Sequence, residues 1–373
     1  MVNKGVVLYA CSSYYQLLVT LQKACVSEQT VDLFLEEHGI ETAKELAEKL
    51  SGRDDLYVRN VYVCPNHPDV YPYRDYLLMA DEEKCKSLVS YVEDILGGSD
   101  VREYDEVNVF WDLGYMGTYL NICHIPYILH EDSLNSYTHI RGVRTNYEYI
   151  FDREGYEYRR RKEKREGVIP FGFSDECKAV EVNSLDGIEI DAPEVLEKFR
   201  AVPRKEIEDR LTDEKKKQIY HLFFGDEEKC ADDSQSDKSN APSNRTSPPK
   251  RLLLLTEPFA KTGRLESEEQ QLLLYKKIVK EYSEAFSDEQ SATELVIKAH
   301  PRDTFDYKEA FPDATVLEKN VPMEVMNYDD SVRFDRAVTV TSSVIQNIKN
   351  ADEKILLGRE YLVNFIKANK QDE

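Results

Sequence analysis

The sequence lacks the features that mark membrane-spanning, zinc-binding and exported proteins. No stretch approaches the roughly 18 consecutive apolar residues of a membrane helix, so we expect no membrane span. The 7 cysteines are scattered and none forms a Cys-x-x-Cys pair, which predicts free thiols and no zinc site. A strand pattern begins at Gly5, close to the first residue, so we expect no signal peptide and a cytoplasmic location.

Positive charge is also in deficit. The chain has 49 Lys and Arg residues against 71 Asp and Glu residues, which gives a formal net charge of −22. This balance disfavours binding to nucleic acid and to bare anionic membrane, so we expect at most a peripheral association with the inner face of the membrane. We interpret the basic run at 159–165 as a solvated loop. The alternative is a patch that steers an anionic acceptor or a lipid headgroup.

What the chain does have is a regular alternation of strand and helix patterns, over a length that suits about two domains. In the first half, we predict strands at 5–10, 31–35, 56–63, 106–110 and 126–130, and helices at 14–26, 42–50 and 82–96. In the second half, we predict strands at 251–256, 294–299, 314–317, 337–341 and 354–357, with a helix at 267–282 that a capping box opens. Such alternation predicts parallel sheets with helices on both faces.

Residues 225–250 separate these two halves. The segment is rich in Ser, Asp and Pro and poor in apolar residues, so we predict a flexible linker. The predicted domains are therefore 1–224, which is less regular after residue 138, and 251–357, followed by a C-terminal helix within 358–373. Two Rossmann-like α/β domains that face each other across a cleft would make that cleft the ligand site.

Two motifs of the second half follow predicted strands directly. His300-Pro301 ends the strand at 294–299, and Ser342-Ser343 follows the strand at 337–341 and precedes a helical pattern. In open α/β sheets, ligands bind at the carboxyl ends of the strands. Hydroxyl groups at a helix N-terminus suit a phosphate, and a histidine on a neighbouring strand end can supply a proton or charge to the same anion. These motifs predict a phosphate-binding site.

An acidic pair follows the strand at 126–130. Two adjacent carboxylates such as Glu131 and Asp132, placed directly after a buried strand, destabilise the fold unless they are solvated or take part in function. One of them can serve as the general base for a hydroxyl nucleophile. Each motif alone has an ordinary structural interpretation: a turn with surface acids, a strand-ending proline, or a helix cap. Their combination, in this order, favours a catalytic site.

The combination resembles a known family. Bacterial sialyltransferases of the two-domain type carry an acidic pair followed by Gly, then His-Pro, then Ser-Ser, and the matching segments here are Glu131-Asp132-Ser133, His300-Pro301 and Ser342-Ser343. The segment from Ser12 to Gln16 is similar to the opening motif of the lipooligosaccharide sialyltransferases of glycosyltransferase family 52 and of the related polysialyltransferases. Further similar segments, Glu257-Pro258 and 320–324, extend the resemblance over residues 5–345. The chain departs from the pattern at Ser133, where the family has Gly.

The resemblance implies a GT-B architecture and an inverting, metal-independent transfer of sialic acid from CMP-sialic acid to a hydroxyl of a surface glycan, such as a lipooligosaccharide or a capsule, without a cofactor. Asp132 or Glu131 would be the base, with Glu257 in reserve, and His300 would stabilise the departing CMP. The donor would be bound by a further set of residues: Ser12, Gln16, Glu257, Pro301, Ser342 and Ser343. The absence of an Asp-x-Asp sequence favours metal independence.

Two other functions remain open at this point. CDP-activated polyol phosphotransferases also combine a GT-B-like fold with catalytic histidines. A non-catalytic glycan-binding or nucleotide-binding relative is the second alternative, and Ser133 would then mark the lost activity. Family relatives can dimerise by exchanging segments, and the long predicted linker would permit a homodimer.

Overall fold

The computed structural model describes residues 5–70, 82–132, 137, 171–188, 190, 193–225, 249–284 and 293–369. The chain divides into two compact units, Met1–Lys215 and Lys216–Glu373. Three predicted features lie outside the described residues: Ser133, the basic run at 159–165 and all but the ends of the linker predicted at 225–250.

The first unit is built on a 7-stranded parallel sheet with the order β3-β2-β1-β4-β5-β6-β7. Its strands are β1 (Val7–Cys11), β2 (Val31–Glu36), β3 (Val58–Cys64), β4 (Glu106–Val109), β5 (Tyr127–His130), β6 (Cys177–Val182) and β7 (Phe199–Ala201). All residues of the central strand β1 are buried, as expected of a strand that is covered on both faces of a parallel sheet. The strand order reverses between β1 and β4, and this is where open α/β sheets form their ligand crevice.

Helices cover this sheet. They are α1 (Tyr14–Ser27), α2 (Ala43–Leu50), α3 (Glu82–Ile95), α4 (Tyr115–Ile122), α5 (Pro193–Leu196), α6 (Arg204–Asp209) and α7 (Asp213–Phe224), which spans the division between the units. Helix α1 begins where Ser13 Oγ accepts a hydrogen bond from the Gln16 backbone N, and it ends at Glu28 in the left-handed conformation (φ 50°). Its face toward the sheet buries Leu17, Leu18 and Leu21, each worth about 1.5–3 kcal/mol of stabilisation.

The second unit repeats the plan with a 5-stranded parallel sheet of order β10-β9-β8-β11-β12. Its strands are β8 (Lys250–Leu255), β9 (Thr293–Lys298), β10 (Thr315–Leu317), β11 (Phe334–Thr339) and β12 (Ala351–Leu356). Its further helices are α8 (Glu268–Glu284), α9 (Tyr307–Ala310) and α10 (Gly358–Asn369). The order reverses between β8 and β11, so the carboxyl ends of these two strands form the expected ligand crevice of this unit.

The α/β class, each predicted strand and each predicted helix with a long apolar pattern are confirmed, with boundaries shifted by a few residues. The region after residue 138, which the sequence makes irregular, contains two strands, β6 and β7, that the prediction missed. They are short and carry charged residues between their apolar ones, so they lack a clear strand pattern. The helix predicted after Ser342 is a five-residue 3-10 turn, Ser343–Asn347.

Among the described residues, no helix is long and apolar enough to cross a membrane. The cysteines of that part, which exclude Cys230, are thiols without a disulfide, as the scattered pattern predicted.

Candidate active site

In the first unit, three predicted site residues lie together at the carboxyl end of the sheet. Gln16 is buried in the first turn of α1, where its Oε1 accepts hydrogen bonds from the Ser12 backbone N (2.6 Å) and from Ser12 Oγ (3.2 Å). This orients the amide so that its Nε2 donates to Asp132 Oδ1 at 2.5 Å. Asp132 itself is exposed. An exposed carboxylate that a buried amide holds in place is suited to accept a proton from a bound hydroxyl.

The two acids of the predicted motif have different environments. Glu131 is only 1% exposed, and its Oε1 accepts a hydrogen bond from the Asn183 backbone N at 2.8 Å. Its own backbone N donates to the carbonyl of Glu181 at 2.9 Å. Glu131 therefore joins the ends of β5 and β6, whereas Asp132 reaches the surface, so the geometry favours Asp132 as the acid that can meet a substrate.

His130, the last residue of β5, is fully buried. The Asn108 amide nitrogen donates to Glu106 Oε1 (2.9 Å), so Asn108 Oδ1 accepts from His130 Nε2 (2.7 Å). His130 Nδ1 lies 3.2 Å from Glu181 Oε2, a carboxylate that Lys23 and Arg200 also contact. Burial and the charge of Lys23 lower the pKa of His130 to about 3, despite Glu181. His130 is therefore a neutral core residue that fixes the end of β5 beneath the acidic pair.

This burial predicts a dependence of stability on pH. The unfolded His130 titrates at its ordinary pKa of 6.5 and the folded one at about 3. The unfolded state therefore binds more protons between these values, and the contribution of His130 to the free energy of unfolding falls by up to about 1.4 kcal/mol per pH unit below 6.5. Urea unfolding of wild type and of His130→Gln at pH 7.5 and pH 5 tests this. The difference between the two proteins should shrink at pH 5, and a difference that does not change with pH would contradict the assignment.

In the second unit, His300 follows β9 and is half-buried. Its Nδ1 accepts a hydrogen bond from the Arg302 backbone N at 3.1 Å, so the neutral ring carries its proton on Nε2. Burial and the charges of Arg302 and Lys298 lower the pKa of His300 to about 4. At neutral pH, His300 therefore offers a hydrogen-bond donor without a positive charge.

A buried network fixes the turn that carries His300. The His300 carbonyl accepts from the Asp303 backbone N at 2.8 Å, and Asp303 is itself buried. Asp303 Oδ2 accepts from Tyr307 Oη (2.8 Å) and from Gln271 Nε2 (3.1 Å). Because Gln271 Oε1 also accepts from the Ala260 backbone N at 2.9 Å, helix α8 ties the His300 turn to the loop after β8.

Glu257 occupies the reversal point between β8 and β11. Its Oε2 accepts from the Thr341 backbone N at 2.8 Å, and its Oε1 accepts from Thr341 Oγ1. Its backbone N donates to Tyr275 Oη at 2.6 Å, and that hydroxyl donates back to the Glu257 carbonyl at 2.9 Å. Glu257 is buried, and both carboxylate oxygens hold the segment that leads into Ser342. The arrangement suits a residue that positions this segment.

Glu257→Gln is therefore expected to act on structure and nucleotide binding. The glutamine amide would set an N–H donor against one of the two Thr341 donors, so we expect a loss of about 1–3 kcal/mol in the free energy of unfolding and weaker binding of CMP. Urea unfolding and titration calorimetry measure the two effects. Thr341→Val, which removes one donor only, is the control and should lose less. A Glu257→Gln protein that keeps full stability and CMP affinity but loses turnover would instead identify Glu257 as the base.

The remaining predicted residues lie around this reversal point. Ser342 is half-buried and directly precedes the turn Ser343–Asn347 after β11, and its side chain makes no capping hydrogen bond. Its hydroxyl is thus not consumed as a cap, as the structural interpretation of the motif would require. Because a five-residue 3-10 turn has little dipole, the predicted contribution of a helix N-terminus is weaker than the sequence indicated. Pro301 is exposed, and the side chain of Ser343 lies outside the described residues.

The predicted residues thus form two groups, one in each unit. The sequence gives no signal for three of the residues that hold them, Asn183, Gln271 and Asp303. The fourth, Thr341, ends the predicted strand at 337–341 and directly precedes Ser342. Among the described residues, no cluster of three or more His, Cys, Asp or Glu side chains is placed to hold a metal ion.

Solved structures with a similar fold include bacterial sialyltransferases. A Photobacterium 2,6-sialyltransferase, solved in a ternary complex with the donor product CMP and the acceptor substrate lactose, is 11% identical with a TM-score of 0.50, covering 94% of this chain and 71% of that one. The α/β-galactoside α-2,3-sialyltransferase of Photobacterium phosphoreum is 14% identical with a TM-score of 0.48, covering 95% of this chain and 90% of that one. The two parallel sheets and the first of these likenesses define a GT-B-type fold with two Rossmann-like units, as predicted.

The sequence itself gives the family. The model of glycosyltransferase family 52 matches residues 128–357, which is more than half of the chain. The chain therefore belongs to glycosyltransferase family 52. An uncharacterized protein of Haemophilus influenzae is 34% identical over 92 residues, a match that spans 25% of this chain and 27% of that relative.

Proposed function

We propose that this member of glycosyltransferase family 52 is an inverting sialyltransferase that moves sialic acid from CMP-sialic acid to a hydroxyl of a glycan, without a metal or a cofactor. The observation that carries the proposal is the exposed carboxylate of Asp132, which the buried Gln16 holds at the carboxyl end of the first sheet. The family match and the likeness to a sialyltransferase that binds CMP and lactose support the choice of donor and acceptor classes.

Asp132 acts as the general base. Inverting transfer is a direct displacement, in which the acceptor hydroxyl oxygen bonds to the anomeric carbon while the bond from that carbon to the CMP phosphate oxygen breaks. The hydroxyl proton passes to the Asp132 carboxylate, which the hydrogen bond from Gln16 holds in place. Asp132 is favoured over Glu131 because the Glu131 carboxylate is buried and accepts from Asn183.

His300 and Ser342 stabilise the leaving group. Negative charge accumulates on the CMP phosphate as the bond breaks, and donors already in place lower the barrier without reorganisation. The neutral His300 ring presents its Nε2 proton, while its Nδ1 is fixed by the Arg302 backbone. Ser342 contributes its hydroxyl, and Glu257 keeps the Thr341–Ser342 segment in place. Pro301 follows His300 as the exposed end of the same turn.

A thermal-shift panel tests the donor class. CMP and CMP-sialic acid should raise the melting temperature, because a ligand that binds only the folded state stabilises it by an amount that grows with the ratio of its free concentration to its Kd. CDP-glycerol, UDP-glucose and UDP-N-acetylglucosamine should have little effect, and EDTA should not reduce the shift given by CMP. A larger shift with CDP-glycerol would favour a polyol phosphotransferase. Binding of CMP-sialic acid without hydrolysis or transfer would favour a non-catalytic relative.

A further inference from the structure

A second group of side chains lies at the carboxyl end of the first sheet, apart from the predicted site residues. Glu36 ends β2, His38 follows it in the next loop, and Trp111 follows β4 by two residues. Strands β2 and β4 flank β1, so the three residues surround the point at which the strand order reverses. This is the place in an open α/β sheet where ligands bind.

The carboxylate of Glu36 is buried, and among the described residues hydrogen bonds satisfy only one of its two oxygens. It is 3% exposed, and its Oε1 accepts from the Met116 backbone N at 3.3 Å, at the start of α4. Within the described part of the chain, its Oε2 has no hydrogen bond. Gly114 leaves the room for it, since a Cβ there would stand 2.7 Å from both oxygens. Burial raises the pKa of Glu36 to about 7.

His38 lies over this carboxylate and is exposed. Its Nδ1 is 3.4 Å from Glu36 Oε2, so the carboxylate faces one of the two ring nitrogens. This contact does not have hydrogen-bond geometry. Its length is that of an ion pair, which requires His38 to be protonated and Glu36 to be ionised. A carboxylate that orients an exposed imidazole is a familiar arrangement for a ring that must hydrogen-bond a ligand.

Trp111 completes the group with an aromatic surface. Its ring meets His38 edge to face, with centroids 6.1 Å apart and planes at 80°, and its side chain is half-buried against the core of the first unit. It is the only tryptophan of the chain. A half-buried indole beside a polar side chain suits a sugar ring, which has an apolar face and a rim of hydroxyl groups.

The group is joined to the proposed base by direct packing. Gly39, next to His38, lies so close to β1 that a Cβ would stand 1.8 Å from the Ser12 carbonyl oxygen. Ser12 donates to Gln16 through its backbone N and its hydroxyl, and Gln16 donates to Asp132. The loop that carries His38 is thus in contact with the residues that hold Asp132.

We propose that Trp111, His38 and Glu36 form the subsite for a neutral sugar residue of the acceptor. The sugar stacks on the Trp111 ring, and His38, oriented by Glu36, hydrogen-bonds one of its hydroxyl groups. This inference rests on the proposed function, because only a transferase has an acceptor. The binding of a neutral sugar at this place can nevertheless be measured without any transfer.

The single tryptophan makes the test specific. Emission of Trp111 is followed while wild type is titrated with lactose, N-acetyllactosamine, galactose and N-acetylglucosamine, with mannitol, an open-chain polyol without a ring face, as the ligand control. At least one ring sugar should change the emission in a saturable way. His38→Asn should move the midpoint to a concentration about 10-fold higher, the loss expected for one hydrogen bond to a bound ligand.

A matched control variant is available. His124 is also exposed, and its Nδ1 faces Glu176 Oε1 at 3.0 Å. It precedes β5, however, and so lies at the amino ends of the parallel strands, opposite to the proposed subsite. His124→Asn should leave the titration unchanged, and asparagine tolerates its left-handed conformation (φ 54°). No saturable change with any ring sugar, or equal effects of the two variants, would overturn the subsite.

Kinetics separate this inference from the proposed function. With an active enzyme, Trp111→Leu and His38→Asn should each raise the KM for the acceptor by about 10-fold and leave the KM for the donor unchanged. If a ring sugar binds saturably and His38→Asn weakens that binding, but the protein transfers no sialic acid, the subsite is supported and the proposed function is rejected. Normal acceptor KM values in both variants of an active enzyme would reject the subsite and sustain the function.

Discussion

His300→Ala is expected to lower sialyl transfer by more than about 100-fold, because a donor positioned on the leaving group contributes several kcal/mol to transition-state stabilisation. The fold should survive the change, since His300 is only half-buried and its turn is held by Asp303, Gln271 and Tyr307. Steady-state rates measure the loss, and thermal unfolding checks the fold. CMP should still bind, because Ser342 and the Glu257-held segment remain.

His221→Ala is the matched control for this prediction. His221 is a half-buried histidine of the same unit, on α7, and its Nδ1 lies 3.3 Å from the Gly225 carbonyl oxygen. The proposal gives it no part in transfer, so its variant should turn over like wild type. A His300→Ala protein that is equally active would place the leaving-group stabiliser elsewhere in the chain.

Asp132→Asn is expected to abolish measurable transfer while donor binding persists. An asparagine cannot take the hydroxyl proton, and loss of a positioned general base costs about 100-fold to 10,000-fold in rate. Transfer from CMP-sialic acid measures the rate, and titration calorimetry with CMP measures the binding. Gln16→Leu should give an intermediate loss, because it leaves the Asp132 carboxylate in place but removes the 2.5 Å hydrogen bond that orients it.

Glu131→Gln separates the two acids. Its side chain can still accept from the Asn183 backbone N through the amide oxygen, so we expect a modest change in stability and a mild effect on rate. The opposite ranking, with Glu131→Gln inactive and Asp132→Asn active, would move the base to the buried acid. Full activity of both variants would exclude the acidic pair from the chemistry.

The parallel α/β character of the two sheets could be predicted from the sequence because their central strands contain apolar runs that are followed by polar or turn residues and alternate with helical patterns. Strand β1 ends just before Ser12, and β9 ends at Lys298, two residues before the half-buried His300. Strand ends at the same edge of a parallel sheet come together, so the motifs that follow them could be assigned to ligand-binding edges.

The contacts that decide the roles could not be predicted in the same way. Gln16 and Asp132 are 116 residues apart, and Glu257 and Thr341 are 84 apart, so each pairing depends on the register of strands that the sequence pattern does not specify. The burial of Glu131 beside an exposed Asp132 also depends on β6, which the pattern did not show. The Glu36–His38–Trp111 group joins residues from two strand ends without any motif.

The proposed activity is the transfer of sialic acid from CMP-sialic acid to a glycan hydroxyl. The most direct measurement incubates the purified protein with CMP-sialic acid and a β-galactoside acceptor in the presence of EDTA, and follows the products by mass spectrometry and NMR. We expect equal amounts of CMP and sialylated acceptor, with the new linkage in the anomeric configuration opposite to that of the donor. An acceptor modified only when UDP-sugars or CDP-glycerol replace CMP-sialic acid, or a linkage that retains the configuration of the donor, would contradict it.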